Sequence, residues 1–231
     1  MGKIVILTGA GISAESGLGT FRDEGGLWSQ HRIEDVATPE GFARDPALVH
    51  GFYNARRIQA AKAQPNAAHL ALARLQRDFP SEVVIVTQNV DNLHEAGGAK
   101  NVLHMHGTLA GALCATCDHR WTAPPEMSVG EVCPACAAPC ARPDVVWFGE
   151  MPYHMDLIYD HLAGATVFAS IGTSGQVYPA AAFVHEAALA GARTAELNLD
   201  PSDGASRYDE VILGPATQIV PQWVDGLLTH S

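Results

Sequence analysis

The sequence predicts an α/β fold, a doubly wound and mostly parallel sheet that carries a smaller lobe built from insertions. Three observations predict it. Short apolar runs of strand length recur along the chain with helix-like stretches between them. A glycine-rich turn follows the first of these runs directly. Two stretches, 24–64 and 109–143, break the alternation and read as insertions. Strands alternating with helices imply a parallel sheet covered on both faces, with ligands at the carboxyl ends of its strands. The expected organisation is a single domain. Its large lobe comprises 1–23, 65–108 and 144–231; its small lobe comprises 24–64, helical, and 109–143, which carries the cysteines.

Taken in order, the strands are expected at 4–8, 83–87, 102–106, 145–148, 166–171, 194–199 and 210–213. Between the first two, residues 24–64 carry helix-like pieces without a strand. The stretch NAAHLALARLQRDFP, 66–80, has Asn66 as N-cap, Leu72, Leu75 and Phe79 on one face, and Pro80 as a stop. Residues 109–143 hold the cysteines and show little periodicity. The helix in AAAFVHEAALAG, 180–191, ends at Gly191, a residue suited to the left-handed position after a helix.

The chain has 231 residues and a formal charge of -11, with no Lys/Arg cluster to neutralise phosphates, which argues against a general nucleic-acid binder. Its longest apolar runs are strand-length, so no membrane span is expected. The first strand starts almost at once, leaving no room for a signal or transit peptide, and Ile6 breaks the myristoylation pattern that Gly2 opens. The cysteines crowd into residues 114–140, which fits metal binding in a reducing compartment better than a disulfide framework. A cytoplasmic monomer is the expectation.

In GAGISA, 9–14, Gly9 permits a tight turn and Gly11 lets backbone N–H groups approach a pyrophosphate, with Ala14 at the third fingerprint position. This is the opening of a Rossmann-like dinucleotide site. An enzyme that passes a hydride would also place an acidic residue at the end of the next strand, about twenty residues on, to hold the ribose. That distance falls in HRIEDVATPE, which does not end an apolar strand. The turn is followed instead by Ser13, Glu15, Ser16, Thr20, Phe21, Arg22 and Asp23. Hydride transfer does not explain that polar stretch.

The knuckles CATC, 114–117, and CPAC, 133–136, are separated by fifteen residues. Cys114, Cys117, Cys133 and Cys136 therefore supply four thiolates for one tetrahedral zinc. Four protein ligands close the shell to water, so the ion is structural. Its binding energy, on the order of 10 kcal/mol in small zinc modules, can hold a lobe that has little core of its own. Cys140 is a spare thiol, able to replace Cys136 only if the second knuckle is distorted. The basic residues here are Arg120 and Arg142, too few for a DNA-reading ribbon.

The later strands end in polar clusters: TQNVDNLH (87–94), HMHGTL (104–109), GTS (172–174) and LNLD (197–200). Together with GAGISAESGLGTFRD and the two knuckles, in this order, they resemble the sirtuins, NAD-dependent protein-lysine deacylases. The resemblance runs from Gly9 to the final helix. It departs at Gly19, where the family usually carries proline or another larger residue.

The resemblance implies that NAD is consumed rather than reduced. Gly9, Ala10, Gly11, Thr20, Phe21 and Arg22 would line the cofactor loop. Gln88, Asn89 and Asp91 would form the nicotinamide-side pocket, and Gly172, Ser174, Asn198, Leu199 and Ala216 would surround the adenosine half. One of Asn89 and Asp91 can alternatively serve as a helix cap. His106 matches the catalytic histidine, an imidazole able to take a ribose hydroxyl proton near neutral pH, with Asn89 and Asp91 as its catalytic companions. The implied products are nicotinamide, 2′-O-acyl-ADP-ribose and free lysine. VVWFGE (145–150) and VYP (177–179) would flank an acyl-lysine peptide added as a strand, touched by Val146, Phe148, Gly149, Glu150 and Val177.

GFYNARR, 51–57, sets Tyr53 and Arg56 at i, i+3, on one face of a helix. The pair is similar to that of the sirtuin subclass that removes succinyl, malonyl or glutaryl groups. A buried acyl carboxylate needs a cation, and guanidinium offers two parallel hydrogen bonds. The plain alternative is a helix with a packed Tyr53 and an exposed Arg56. Acetyl groups are expected to be removed as well. Two rivals remain on this scaffold besides a deacetylase without acidic-acyl activity: a protein ADP-ribosyltransferase and a non-catalytic reader of acyl-lysine.

Overall fold

The computed structural model describes residues 2–19 and 31–229. Thr20, Phe21 and Arg22 of the expected cofactor loop lie outside the described residues. Among those described, the strands are β1 (Lys3–Thr8), β2 (Val83–Thr87), β3 (Leu103–His104), β4 (Gly107–Cys114), β5 (Arg120–Thr122), β6 (Ala141–Val145), β7 (Ala165–Ile171), β8 (Arg193–Asn198) and β9 (Glu210–Leu213). The α-helices are α1 (Gly11–Ala14), α2 (Ile33–Val36), α3 (Pro39–Arg44), α4 (Pro46–Ala60), α5 (Ala67–Asp78), α6 (Leu93–Ala96), α7 (Met155–Ala163), α8 (Phe183–Leu189) and α9 (Ala216–Thr229).

Six strands form one parallel sheet in the order β3-β2-β1-β7-β8-β9. Counted within that sheet this is 3-2-1-4-5-6, the doubly wound order, and the chain reverses direction across the sheet between β1 and β7. Strand alternation sorts the core. From β1, Ile4 and Ile6 point to a layer in which Leu72 and Leu75 of α5 meet Val220, Trp223 and Val224 of α9. Val5 and Leu7 point the other way, to Ile158 and Leu162 of α7 and Phe183 and Val184 of α8. Both faces are thereby closed, which is why the strands read as continuous apolar runs.

Local signals set the helix ends. Asn66 accepts from Ala68 N at 3.0 Å, and its own N–H donates to His69 Nδ1 at 3.3 Å, a reciprocal cap. Helix α5 stops at Asp78, ahead of Phe79-Pro80. Thr38 caps α3 by accepting from Gly41 N, and Asp45 caps α4 by accepting from Leu48 N, each with a proline at the first helical position.

A second, antiparallel sheet of order β5-β4-β6 carries the cysteines. Helix α4 is fastened to it. The Asn54 side chain exchanges two hydrogen bonds with the Met127 backbone, at 2.8 and 3.0 Å, and Arg57 Nε donates to Leu109 O at 2.7 Å. Arg57 is thus spent on structure, while its neighbour Arg56 lies against the Phe52 and Tyr53 rings of its own helix.

The expected strand at 145–148 is displaced. The ladder is β6, 141–145, and beyond it the backbone pairs elsewhere: Val146 N donates to His106 O at 2.9 Å and Phe148 N to Ala37 O at 3.0 Å. The strand expected at 102–106 shrinks to Leu103–His104. Among the described residues no helix is long and apolar enough to cross a membrane.

Candidate active site

The turns after β1 and β7 interlock at the point where the strand order reverses. Gly11 N donates to Gly172 O at 2.9 Å and Gly9 N to Ile171 O at 3.0 Å. Gly172 sits at φ +63°, and a Cβ there would lie 2.4 Å from Ile12 N, so only glycine fits. The helix that follows, α1, is a single turn. The crevice it opens is the expected ligand position of such a sheet.

Asn89 and Asp91 follow β2, and Ser13 from the glycine turn reaches both. Asn89 Nδ2 donates to Gly9 O at 3.1 Å and to Ser13 Oγ at 3.2 Å, which uses both amide hydrogens. Its carbonyl oxygen is left as the acceptor. Ser13 Oγ donates to Asp91 Oδ2 at 3.2 Å, while Asp91 Oδ1 accepts from Leu93 N at 3.0 Å. Asp91 therefore bonds the first residue of α6 from just outside the helix, whose N-cap, Asn92, makes no side-chain capping bond. Burial raises the Asp91 pKa above its ordinary value, outweighing Leu93 N, Ser13, His104 and Arg56.

His106 lies between β3 and β4. Its Nδ1 is 3.1 Å from Gln88 O, a carbonyl that can only accept, so Nδ1 carries the hydrogen and Nε2 the free lone pair. Burial lowers its pKa below 6.5 against the pull of that hydrogen bond, so the ring is neutral at pH 7. A neutral imidazole with Nε2 available is a competent base. The next residue, Gly107, has φ +77°, and a Cβ there would meet Asp144 O at 2.1 Å. That close approach lets Val146 N bond to His106 O.

The four sulfur atoms of Cys114, Cys117, Cys133 and Cys136 lie within 4.8 Å of one another. Tetrahedral zinc with bonds of about 2.3 Å sets sulfurs about 3.8 Å apart. The Cys117–Cys133 pair is at 3.8 Å and Cys114–Cys136 at 3.6 Å, so the donor set fits a structural zinc. Amide N–H groups of Thr116, Cys117 and Ala135 point at these sulfurs, each at 3.4 Å. Cys140 stands beside the set, 3.5 Å from Cys114 Sγ and 3.1 Å from the Thr116 hydroxyl.

A profile described as the Sir2 family matches residues 9–179 of the chain. The chain belongs to the Sir2 family. It is 54% identical over 232 residues to an NAD-dependent protein deacylase of Caulobacter vibrioides, covering 99% of this chain and 98% of that protein. An NAD-dependent protein deacylase of Escherichia coli strain K12 is 55% identical over 231 residues, 98% of this chain and 82% of that one. Among solved structures, a Sir2 homologue in complex with NAD superposes with TM-score 0.90 at 36% identity, covering 99% of this chain and 90% of the other. A mutant Sir2 homologue in complex with ADP-ribose gives TM-score 0.91, also at 36% identity, over 99% and 92%.

Against this Sir2 frame the remaining expected residues fall in three groups. On the β7–β9 side, Asn198 Nδ2 donates to Thr173 O and to Glu196 Oε1, both at 2.9 Å, which again turns the amide oxygen outward. Ser174 Oγ accepts from Gln176 N, Leu199 is exposed, and Ala216 starts α9. In the segment expected to flank a peptide, Val146 is tied to His106 as above, Phe148 is half exposed, and Gly149 has φ +93°. Glu150 spends both oxygens on Arg142 and Trp147 N. Val177 and Gln88 line one small cleft with Leu7, Thr173 and Tyr208.

Third, α4 brings Tyr53 and Arg56 together. Tyr53 is fully buried, and the Arg56 guanidinium carbon is 5.8 Å from the ring centroids of both Tyr53 and Phe52. Burial lowers the Arg56 pKa, while the charges of Tyr53 and Asp91 oppose that shift. The residues that sequence reasoning missed are Ser13 as a bridge, His104, Trp147 and Glu196. His104 joins Asn89 O to Glu95 Oε1, at 3.1 and 2.7 Å. The HMH spacing places His104 and His106 on the same side of an extended segment, the one local hint of its position.

Proposed function

We propose that this chain, an NAD-dependent protein deacylase, removes succinyl and malonyl groups as well as acetyl groups from protein lysines. The observation that supports the acyl class is the pairing of Tyr53 and Arg56 on one face of α4, with the Arg56 guanidinium carbon 5.8 Å from the Tyr53 ring centroid. A guanidinium partly withdrawn from water beside a phenol meets the needs of an acyl carboxylate and is superfluous for an acetyl methyl.

The roles of the site residues follow. The Gly9–Gly11 and Gly172 turns hold the dinucleotide at the strand ends, with Asn198 directing an acceptor oxygen to its adenosine half. NAD supplies the electrophilic ribose carbon and nicotinamide as its leaving group. Asn89 and Asp91, fixed through Ser13, hold the nicotinamide side and favour the positive charge that develops as the bond breaks. Once the acyl oxygen has displaced nicotinamide from the ribose carbon, His106 Nε2 would take the proton of the neighbouring ribose hydroxyl as it attacks the acyl carbon, and water would complete release of the lysine amine. Val146, Phe148, Gly149 and Val177 receive the peptide as an added strand. A soluble cytoplasmic monomer acting on protein lysines remains part of this reading.

The test is a parallel assay of acetyl- and succinyl-lysine versions of one peptide, with NAD, followed by mass spectrometry. This reading expects lysine release from both. An ADP-ribosyltransferase would instead attach the NAD-derived label to protein, and a reader would bind without releasing nicotinamide.

A further inference from the structure

The Tyr53 hydroxyl oxygen accepts a hydrogen bond from the Trp147 indole N–H at 3.0 Å. Indole nitrogen is a donor only, so the bond occupies a phenol lone pair and leaves the phenol hydrogen to be given elsewhere. That polarity matters to a tyrosine facing an anion. A lone pair turned toward a carboxylate repels it, whereas an O–H donates to it.

Trp147 is itself held on several sides. It is buried, and its backbone N–H donates to Glu150 Oε2 at 2.8 Å. The Arg142 guanidinium lies over its ring, 3.6 Å from the centroid, and Phe42 packs 5.2 Å away. Arg142 in turn grips Glu150 with two bonds, Nη1 to Oε1 at 2.6 Å and Nη2 to Oε2 at 2.8 Å, and donates to Val145 O at 2.8 Å. Burial alone would push the Glu150 carboxyl up, but Arg142 and the Trp147 amide hold it below its ordinary range, so it stays charged.

We propose that Trp147 is a positioning residue for acidic acyl groups. Its N–H fixes Tyr53 as a donor toward the acyl carboxylate, and the Arg142–Glu150 clamp fixes the indole. This rests on the reading of Tyr53 and Arg56 as the pair that recognises that carboxylate.

Trp147→Phe keeps an aromatic ring under Arg142 and removes the N–H. The measurement is kcat/KM for succinyl- and acetyl-lysine versions of one peptide in the same preparation, because their ratio cancels the fraction of enzyme that is folded. The succinyl-to-acetyl ratio falls about tenfold, chiefly through KM for the succinyl peptide. In a Tyr53→Phe background, adding Trp147→Phe lowers the ratio no further, because the two groups act as one unit. If Trp147→Phe leaves the ratio unchanged while Tyr53→Phe lowers it, the inference is overturned and the acyl reading stands. If Tyr53→Phe and Arg56→Met both leave it unchanged, the acyl reading falls and the inference with it. Arg142→Met, which loosens the indole without touching Tyr53, gives a smaller fall in the same ratio. An unchanged ratio there counts against the clamp.

Discussion

His106 Nδ1 stands 3.1 Å from the carbonyl oxygen of Gln88, and that one bond decides which ring nitrogen can do chemistry. With the hydrogen committed to Gln88, Nε2 is the nitrogen left free to accept a proton. Replacing His106 with alanine lowers deacylation by about 100-fold or more, measured as lysine released from an acyl peptide. Wild-type turnover in that variant would remove His106 from the mechanism. The lowered pKa adds a second expectation. The ring remains unprotonated until pH falls through a value below 6.5, so the acid limb of kcat/KM lies below that of an exposed imidazole. An acid limb above 6.5 would contradict the buried neutral ring.

Arg56→Met lowers the succinyl-to-acetyl ratio of kcat/KM by about 10- to 100-fold. A hydrogen bond to a charged partner contributes roughly 1.5–3 kcal/mol, about one to two decades each. Equal loss of both activities would mean that Arg56 shapes the site generally rather than reading the acyl carboxylate.

The purified protein carries one zinc, counted by elemental analysis, and the Cys117→Ser variant carries less. Removing the ion with a chelator lowers the melting temperature by roughly 10 °C, because the cysteine-bearing sheet loses several kcal/mol. Unchanged melting after complete removal would show that β4, β5 and β6 fold without the ion.

Two buried histidines, His69 and His94, make stability depend on pH. Burial lowers His69 to about 4 and His94 to about 3, and no described residue balances either with a carboxylate. Their pKa values are depressed in the fold and near 6.5 in the unfolded chain. Above 6.5 both states are neutral and nothing is gained or lost. As pH falls below 6.5 the unfolded chain takes up protons that the fold refuses, and stability drops. Each histidine contributes up to about 1.4 kcal/mol per pH unit between roughly 6 and 4. Denaturant unfolding at pH 7, 6 and 5 reads the slope, and a His94→Gln variant shows a slope smaller by about one proton.

How much of this was legible in the sequence depends on the range over which each signal acts. The strand at Ile4–Thr8, the Asn66 cap and the paired cysteine spacing are local, and the structure places them as expected. The antiparallel sheet around the cysteines was not legible. Arg120–Thr122 is three residues long with both ends exposed, too short for alternation to register. VVWF reads as one strand because all four residues are large and apolar, yet the ladder ends at Val145 and His106 and Ala37 take over the pairing. The Trp147–Tyr53 bond joins residues 94 apart in the chain, and no local pattern encodes it. Ser13 was visible only as a polar residue in the wrong place for a plain helix; its reach to Asn89 and Asp91 needed the fold. Thr20, Phe21 and Arg22 rest on the family resemblance alone.

The most direct test of the central claim is a stoichiometry. Purified protein is incubated with NAD and a succinyl-lysine peptide, and nicotinamide, deacylated peptide and O-succinyl-ADP-ribose are quantified together. The account predicts that the three appear in equal amounts and that none appears when NAD is left out. Free lysine without NAD, or peptide deacylation without matching nicotinamide, would contradict it.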